Sequence, residues 1–322
     1  MAGHEIIVIG ASAGGVDALP RLIGTLPADL PASVFVVLHI PSLSPDLLTK
    51  IIGRDAALKV KNGVDGEKIE RGQVYLAPPD QHLQMEGGCV RVIRGPRENR
   101  HRPSVDALFR SAAEAYGPRV TGVVLTGYLD DGTAGLNSVK THGGTAIVQD
   151  PKDAAAPGMP ESALRNVKVD HCVPLAEIGP LLVQLATSQS VRKRKKGATP
   201  MGKMEKRQMS PAEMETKFGP PTGFICPECS GPLWETKPGG PLQFRCHVGH
   251  AYSPDSLLAD HADGLERALW SAVRTFDEQA ALLRRLGERR FQSQSYGSNL
   301  EERAGKFEGD AEAIRKLLQA DR

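Results

Sequence analysis

The 322-residue sequence is poor in aromatic residues and contains no long hydrophobic segment. Aromatic residues make up 5% of the chain, so a core must form mainly from small apolar side chains, which suits close packing of helices on a sheet. Every apolar run falls short of the roughly 18 residues that span a bilayer, and the N-terminus lacks the parts of a signal peptide. We therefore expect a cytoplasmic protein without a transmembrane segment.

The sequence also lacks an excess of either positive or negative charge. The chain has 40 Lys and Arg residues against 38 Asp and Glu residues, which gives a net charge of +2. A basic run at residues 192–196 is a local exception, but it has no interleaved aromatic residues on which bases could stack. We interpret it as part of a solvated linker and expect no specific nucleic-acid partner.

Strand-like and helix-like segments alternate from residue 5 to about residue 186. Short runs rich in β-branched residues predict strands at residues 5–9, 33–40, 74–77, 90–93, 119–125 and 145–149. Helical patterns lie between several of them, at residues 16–26, 105–116 and 134–141. This alternation predicts the α/β class, with a doubly wound and mostly parallel sheet.

The remainder of the chain changes character. Residues 187–222 are polar and basic and predict a flexible linker. Residues 223–252 contain a cluster of Cys and His, which predicts a small zinc-ribbon-like module. In residues 253–322, apolar side chains recur every three or four positions and predict a helical hairpin. The first domain is then expected to cover residues 1–186.

The segment from Gly10 to Gly15, GASAGG, lies between the first predicted strand and the first predicted helix. It matches the G-x-S-x-G pattern of a nucleophile elbow, in which glycines allow a sharp turn that exposes the hydroxyl of Ser12. The alternative is a phosphate-binding glycine loop. That alternative is weaker, because the spacing is not G-x-G-x-x-G and no G-K-[ST] follows.

A serine nucleophile needs a base within hydrogen-bonding reach, and His39 is the first candidate. It lies at the end of the strand predicted at 33–40, so it would lie beside Ser12 if the two strands are neighbours. A structural histidine that only caps the end of the strand fits the pattern equally well.

Two acids, Asp130 and Asp131, follow the strand predicted at 119–125. An acid at this strand end could orient a histidine and stabilise its imidazolium form. The alternative is that Asp131 caps the helix that follows. The order Ser, His, Asp differs from the Ser, acid, His order of α/β-hydrolases, which argues against that family.

Seven segments of the chain together resemble the catalytic domain of the chemotaxis receptor methylesterase (CheB) family. They are GASAGGVDAL, VVLHIPS, VYLAPPDQHL, RPSVDALFRSAA, GVVLTGYLDDGTAGL, QDPKDAAAPGMPESAL and VDHCVPLAEI. The resemblance implies a protein-glutamate methylesterase that demethylates glutamyl methyl esters on chemoreceptors, with glutamine deamidation as a further activity. It implies catalysis without a metal or organic cofactor.

The same resemblance implies roles for individual residues. Ser12 would be the nucleophile, His39 the general base and acid, and Asp131 the residue that orients His39. The N–H of Ala13 and the backbone around Tyr128 are candidates for binding the oxyanion. Thr126 could bind substrate, although a core or capping role fits it equally well, as it does Ser104 and Asp106.

Three departures from the family leave other functions open. Ala13 stands where the family commonly has Thr, and Tyr128-Leu129 stands where it has Met-Gly. No receiver domain precedes the first predicted strand, so we expect no control by phosphorylation in cis. The alternatives are an esterase or amidase of the same fold with a non-chemotaxis protein substrate, and a scaffold protein with incidental hydrolase activity.

Cys226 and Cys229 form a C-x-x-C pair, and Cys246 follows with 16 residues between it and Cys229. Three Cys in such a cluster, in a reducing compartment, indicate thiolate ligands of a structural zinc ion rather than disulfides. We predict His250 as the fourth ligand, because His247 follows Cys246 directly and would have to fold back. A regulatory protein that binds this module and the helices is an expected partner.

Overall fold

The computed structural model of the protein describes residues 5–41, 47–191, 209–236, 241–289 and 294–320. The chain divides into two compact units, Met1–Leu257 and Leu258–Arg322. The basic run at 192–196 lies outside the described residues. None of the helices within these ranges is both long and apolar enough to cross a membrane.

A seven-stranded parallel sheet forms the centre of the first unit. The strands of this part of the chain are β1 (Glu5–Ala11), β2 (Ala32–Leu38), β3 (Lys59–Asn62), β4 (Gln73–Leu76), β5 (His82–Glu86), β6 (Cys89–Ile93), β7 (Val120–Val124), β8 (Thr145–Gln149) and β9 (His171–Val173). The sheet has the order β3-β4-β2-β1-β7-β8-β9, and all its pairs are parallel. The predicted α/β class with a parallel sheet is therefore confirmed.

Two features of the strands differ from the prediction. The strand predicted at 90–93 lies outside the parallel sheet, because β6 pairs antiparallel with β5 in a separate hairpin. Three short strands, β3, β5 and β9, were not predicted. Polar residues dominate β3, whereas β9 has only three residues, so neither presents an apolar run.

Helices cover both faces of the sheet. They are α1 (Gly15–Ile23), α2 (Leu48–Gly53), α3 (Val105–Tyr116), α4 (Thr133–Thr141), α5 (Gly158–Asn166) and α6 (Leu175–Val191). Alternate residues of β1 serve two cores: Ile7 and Ile9 pack in a cluster with α1 and α6, whereas Ile6 and Val8 pack in a cluster with α3, α4 and α5. Burial on both faces explains the nearly continuous apolar sequence of the central strands.

A small antiparallel sheet follows. After helix α7 (Pro211–Phe218) come β10 (Leu233–Thr236), β11 (Gln243–Cys246) and β12 (Ala251–Tyr252), in the order β10-β11-β12. Its core contains Leu233, Phe244 and Tyr252. Helix α6 continues past residue 186, and α7 lies within the predicted linker. The boundaries of the predicted domains stay a prediction.

The C-terminal region consists of two long helices, α8 (Pro254–Arg289) and α9 (Gln294–Ala320). Within the second unit, Phe276 of α8 stacks on Phe307 of α9 with ring centroids 5.8 Å apart. Arg284 of α8 also forms an ion pair with Glu301 of α9 at 3.0 Å. These contacts agree with the predicted helical hairpin.

Candidate active site and metal centre

Ser12 and His39 leave the sheet side by side. Strands β1 and β2 pair in parallel up to Ala11 and Leu38, so the next residue of each strand lies at the same carboxyl edge. The N–H of His39 donates to the carbonyl of Ala11 at 3.1 Å. On the other side, the N–H of Ser12 donates to the carbonyl of Thr126 at 2.9 Å, in the loop that follows β7. Ser12 is thus held between two strand-end loops.

Glycine is required where these loops approach each other. A Cβ atom on Gly127 would lie 2.8 Å from the Cβ of Ser12 and 2.1 Å from the Sδ of Met159, closer than real Cβ contacts. Gly14 has a φ of 80°, a left-handed conformation that favours glycine, and it starts the turn into α1. The glycine-rich sequence around Ser12 therefore permits a sharp turn between β1 and α1, as the G-x-S-x-G pattern predicts.

His39 is held by a carboxylate. Its Nε2–H donates to Oδ2 of Asp131 at 2.8 Å, and both side chains are almost fully buried. Because a carboxylate only accepts, this contact places the proton of the neutral ring on Nε2. Nδ1 of His39 is also buried, and it has no hydrogen-bond partner among the described residues. The ring therefore presents a free lone pair that can take a proton.

A second histidine, which the sequence analysis did not single out, forms one wall of this site. His101 stacks on His39 with ring centroids 3.6 Å apart and ring planes 11° apart. Burial, followed by the charge on His39, lowers the pKa of His101 to about 3. His101 is consequently neutral at physiological pH. Its ring restricts the position of the His39 ring, and it carries no positive charge that would compete with His39 for the Asp131 carboxylate.

Asp131 accepts five hydrogen bonds. One comes from His39, and the other donors are the side chains of Asn99 and Ser104 and the N–H groups of Val105 and Asp106, at 2.7 to 3.1 Å. The two N–H groups belong to the first turn of α3, so the carboxylate also caps that helix. Burial favours the protonated acid, but the hydrogen bond from His39, together with the charge that this ring carries when protonated, outweighs burial and lowers the pKa of Asp131 to about 2.

Asp106 is a second buried carboxyl group beside Asp131. Its Oδ1 accepts hydrogen bonds from the N–H groups of Gly132 and Gly135, at the start of α4. Burial and the negative charge of Asp131 raise the pKa of Asp106 to about 7. Asn99 links the two acids, because its Nδ2 donates to Asp106 at 2.8 Å and to Asp131 at 2.9 Å.

The residues predicted to bind the oxyanion or substrate lie around Ser12. Thr126 is buried, and its hydroxyl donates to the carbonyl of Ala13 and accepts from the N–H of Ala156, both at 2.8 Å. It thereby joins two loops of the site. Tyr128 is 68% exposed at the rim. The roles predicted for Ala13, Tyr128 and Thr126 toward substrate stay predictions.

The structure brings the four predicted metal ligands together. The ligand atoms of Cys226, Cys229, Cys246 and His250 all lie within 4.8 Å of one another. The two Sγ atoms of Cys229 and Cys246 are 3.6 Å apart, and Nδ1 of His250 is 3.5 Å from Sγ of Cys246. A tetrahedral zinc site with Zn–S bonds of about 2.3 Å needs ligand separations of roughly 3.5 to 3.8 Å, so this donor set fits zinc.

His247 lies outside this group of ligand atoms. Its Nδ1 is buried near Gly231 and makes no hydrogen bond among the described residues. The turn explains the preference for His250: the N–H of Cys246 donates to the carbonyl of His250 at 3.0 Å, which returns the ring of His250 to the thiolates.

A serine, a histidine and a carboxylate at the carboxyl edge of a parallel sheet define a class of site suited to acyl transfer. A family model described as CheB methylesterase matches residues 7–182. That match covers more than half of the chain, so the chain belongs to the CheB methylesterase family, whose members are hydrolases.

Known relatives agree with this assignment. A relative from Leptospira interrogans, provisionally named protein-glutamate methylesterase/protein-glutamine glutaminase, is 39% identical over 183 residues, which are 56% of this chain and 95% of the relative. One from Methanosarcina mazei, named protein-glutamate methylesterase/protein-glutamine glutaminase 2, is 38% identical, and the match covers 56% of this chain and 52% of that protein. The crystal structure of the Thermotoga maritima CheB methylesterase catalytic domain matches with a TM-score of 0.54 and 36% identity, and the match covers 57% of this chain and 99% of that domain.

Proposed function

We propose that this chain is a protein-glutamate methylesterase that demethylates glutamyl methyl esters on chemoreceptors, with Ser12, His39 and Asp131 as its catalytic triad. The observation that supports the triad most directly is the hydrogen bonding of His39. Asp131 accepts the hydrogen bond from Nε2–H, and the buried Nδ1 keeps a free lone pair on a residue whose own N–H bonds the carbonyl of Ala11, directly before Ser12.

The reaction follows the acyl-transfer scheme. The hydroxyl oxygen of Ser12 attacks the ester carbonyl while Nδ1 of His39 takes its proton, and Asp131 stabilises the resulting imidazolium. The tetrahedral intermediate collapses, and methanol leaves with the proton from His39. Water then attacks the acyl-enzyme with His39 as base, which releases the glutamate carboxylate and restores Ser12.

The developing negative charge on the carbonyl oxygen needs donors close to Ser12. The N–H of Ala13 is the nearest candidate in sequence, and the loop at Tyr128 supplies the other. Thr126 supports this arrangement because its hydroxyl holds the Ala13 carbonyl at 2.8 Å, which orients the peptide groups that follow the nucleophile. In this proposal Thr126 shapes the oxyanion site rather than touching the substrate.

We also propose that Cys226, Cys229, Cys246 and His250 hold a structural zinc ion. Bound zinc would stabilise the fold of a module whose own core is small. Four protein ligands leave no open coordination position, so the metal takes no part in the hydrolysis.

The substrate is proposed to be a methylated chemoreceptor or a similar signalling protein in the cytoplasm. The exposed ring of Tyr128 at the rim would contact it, and this is the position at which a different substrate protein could be selected. Glutamine deamidation is a second candidate activity, because the names of both relatives include it. The same acyl-enzyme would form, with ammonia as the leaving group. A regulatory protein that binds the metal module and the helices is a further proposed partner.

The decisive experiment measures methanol release from membranes that contain radiomethylated chemoreceptors. The purified full-length protein is expected to release methanol, and Ser12→Ala is expected to abolish the release while the fold is kept. Ser188→Ala, on the exposed part of α6, is the matched control and should behave as the wild type. Methanol release that persists in Ser12→Ala would contradict the proposed nucleophile. A folded wild-type protein that releases none would contradict the proposed substrate.

A further inference from the structure

The metal-binding module adds a strand-like pairing to the loop before α3. The N–H of Asn99 donates to the carbonyl of Ala251 at 2.8 Å, and the N–H of Ala251 donates to the carbonyl of Arg97 at 3.3 Å. Ala251 directly follows the predicted metal ligand His250 in sequence. Nearby, Arg97 pairs with Glu228, which lies between the two cysteines of the C-x-x-C pair, at 3.0 Å.

The carboxamide of Asn99 connects this module to the two buried acids. Its Nδ2 donates one hydrogen bond to Asp131 and one to Asp106. Its Oδ1 accepts from the N–H of Ser253 at 2.9 Å and from the hydroxyl of Ser256 at 3.3 Å. Both donor hydrogens and both acceptor positions of this side chain are therefore used, and the residue is only 3% exposed.

Ser253, which directly follows the β12 strand of the module, determines which way this carboxamide points. A backbone N–H can only donate, so the N–H of Ser253 requires the oxygen of Asn99 on its side and sends the NH₂ group toward the carboxylates. Without Ser253, the buried oxygen would lose this partner and the side chain could rotate. Asp131 would then lose one of the donors that fix the plane of its carboxylate beside His39.

The backbone of Asn99 also needs support. Its φ of 50° lies in the left-handed region, which asparagine tolerates better than most residues but does not favour. The hydrogen bond to Ala251 fixes this peptide. A further contact strengthens the connection, because the hydroxyl of Ser253 donates to Asp130 at 2.6 Å.

We propose that Asn99 is a positioning residue for the hydrolysis and that the metal-binding module holds it in place through Ala251 and Ser253. The module is then a part of the active site in function: it orients Asn99, Asn99 orients Asp131, and Asp131 orients His39. Metal binding at the cluster next to Ala251 supports this chain of contacts. The proposal rests on the proposed methylesterase function for its kinetic consequence, but the orientation of His39 can be measured without activity.

The first test is Asn99→Gly in the full-length protein. Glycine accepts the left-handed backbone, so this variant removes the carboxamide without strain at φ. We expect kcat for a glutamyl methyl ester to fall by about 10- to 100-fold, with KM unchanged, since small displacements of a catalytic group cost rates of this order. Ser188→Ala, on the exposed part of α6, is again the control: it lies outside this contact region and should leave kcat unchanged.

Metal removal tests the contribution of the module. A chelator should lower kcat of the wild type toward the value of Asn99→Gly. It should lower kcat of Asn99→Gly little further, because both changes act through the same contacts. Metal content and circular dichroism are measured alongside. Unchanged kcat in metal-free, folded wild type would overturn the part assigned to the metal, as would a purified protein that binds no zinc.

The ¹⁵N NMR signals of His39 give the readout that does not depend on turnover. In the wild type we expect the Nε2–H tautomer with a protected proton, and in Asn99→Gly a mixture of tautomers and loss of that protection. A wild-type spectrum and wild-type kcat in a folded Asn99→Gly protein would overturn the proposal. If the wild type hydrolyses no methyl ester at all, the methylesterase function fails, while the spectra of His39 still decide the role of Asn99.

Discussion

Replacing Asp131 with asparagine tests the core of the proposed mechanism. Oδ2 of Asp131 accepts from His39 and from the N–H of Val105, whereas Oδ1 accepts from Asn99, Ser104 and Asp106. Asp131→Asn puts an NH₂ group in place of one of these oxygens, and on either side it meets at least two donors. On the Oδ2 side, His39 can adapt by moving its proton to Nδ1, but the N–H of Val105 cannot adapt.

The size of the effect follows from these contacts. A proton on Nδ1 of His39 removes the lone pair that would accept the proton of Ser12, and loss of the correct tautomer in a serine protease costs about 10⁴ in kcat. We therefore expect a loss of about 10³- to 10⁴-fold. The buried N–H of Val105 loses its partner, which costs about 1 to 3 kcal/mol of folding stability. Part of this cost is offset, because Asp106 ionises more easily once the charge of Asp131 is gone.

The assay combines methanol release with chemical unfolding of the same preparations. The variant should be folded, less stable than the wild type and almost inactive near neutral pH, with KM close to that of the wild type. Asp131→Asn with kcat within tenfold of the wild type would refute the proposal that Asp131 sets the tautomer of His39.

Three further perturbations test other parts of the structure. Gly127→Ala should lower kcat at least about tenfold, because its Cβ would come within 2.8 Å of the Cβ of Ser12 and displace the nucleophile; a crystal structure and kcat of the variant check this. Burial raises the pKa of Asp130 from 3.8 to about 6, so the stability linked to its protonation is fully present below pH 4 and lost as the pH rises through 6. Asp130→Asn should flatten that part of the curve of unfolding free energy against pH and raise the free energy of unfolding by about 2 to 3 kcal/mol at pH 8. An unchanged curve would argue against the raised pKa of Asp130. His250→Ala should lower the zinc content per chain, whereas His247→Ala should keep it; the reverse result would show that the ligand is assigned wrongly.

Sequence reasoning predicted the fold class because the central strands are buried on both faces. Apolar residues, many of them β-branched, dominate β1, β2 and β7, so their short apolar runs identified them as strands. The hairpin strand β5 was missed for the opposite reason. His82 and Gln84 in it are fully buried, and His82 is hydrogen bonded to the carbonyl of Pro96 at 2.8 Å. A buried polar residue with a distant partner looks like a loop residue in sequence.

Part of the candidate site was also predictable from the sequence. Ser12 and His39 stand directly after strands, and the acids lie in the loop that follows β7. Because parallel strand ends meet at one edge, their proximity could be inferred. Asn99 and His101 follow no strand and belong to a loop in which polar residues would be expected to face solvent. Asn99 bonds Ala251 and Ser253, more than a hundred residues away, and His101 stacks on His39 of another loop, so nothing in the local sequence indicates these contacts.

Asp131 combines a contact to His39 with a capping role, but it caps a different helix from the one that the sequence suggested. The sequence suggested either an orienting acid or a cap for the helix that follows, but the N-terminus of α4 is capped by Asp106 instead. Asp131 caps α3, the helix that carries Asp106, and bonds His39 with the same carboxylate. Asp131 thus caps the helix that carries Asp106, and Asp106 caps the helix that follows Asp131. Because this arrangement places two carboxyl groups side by side in a buried site, the low pKa of Asp131 depends on Asp106 holding a proton. The donors of His39 and α3 favour ionisation of Asp131, which keeps the charge on the acid that faces His39.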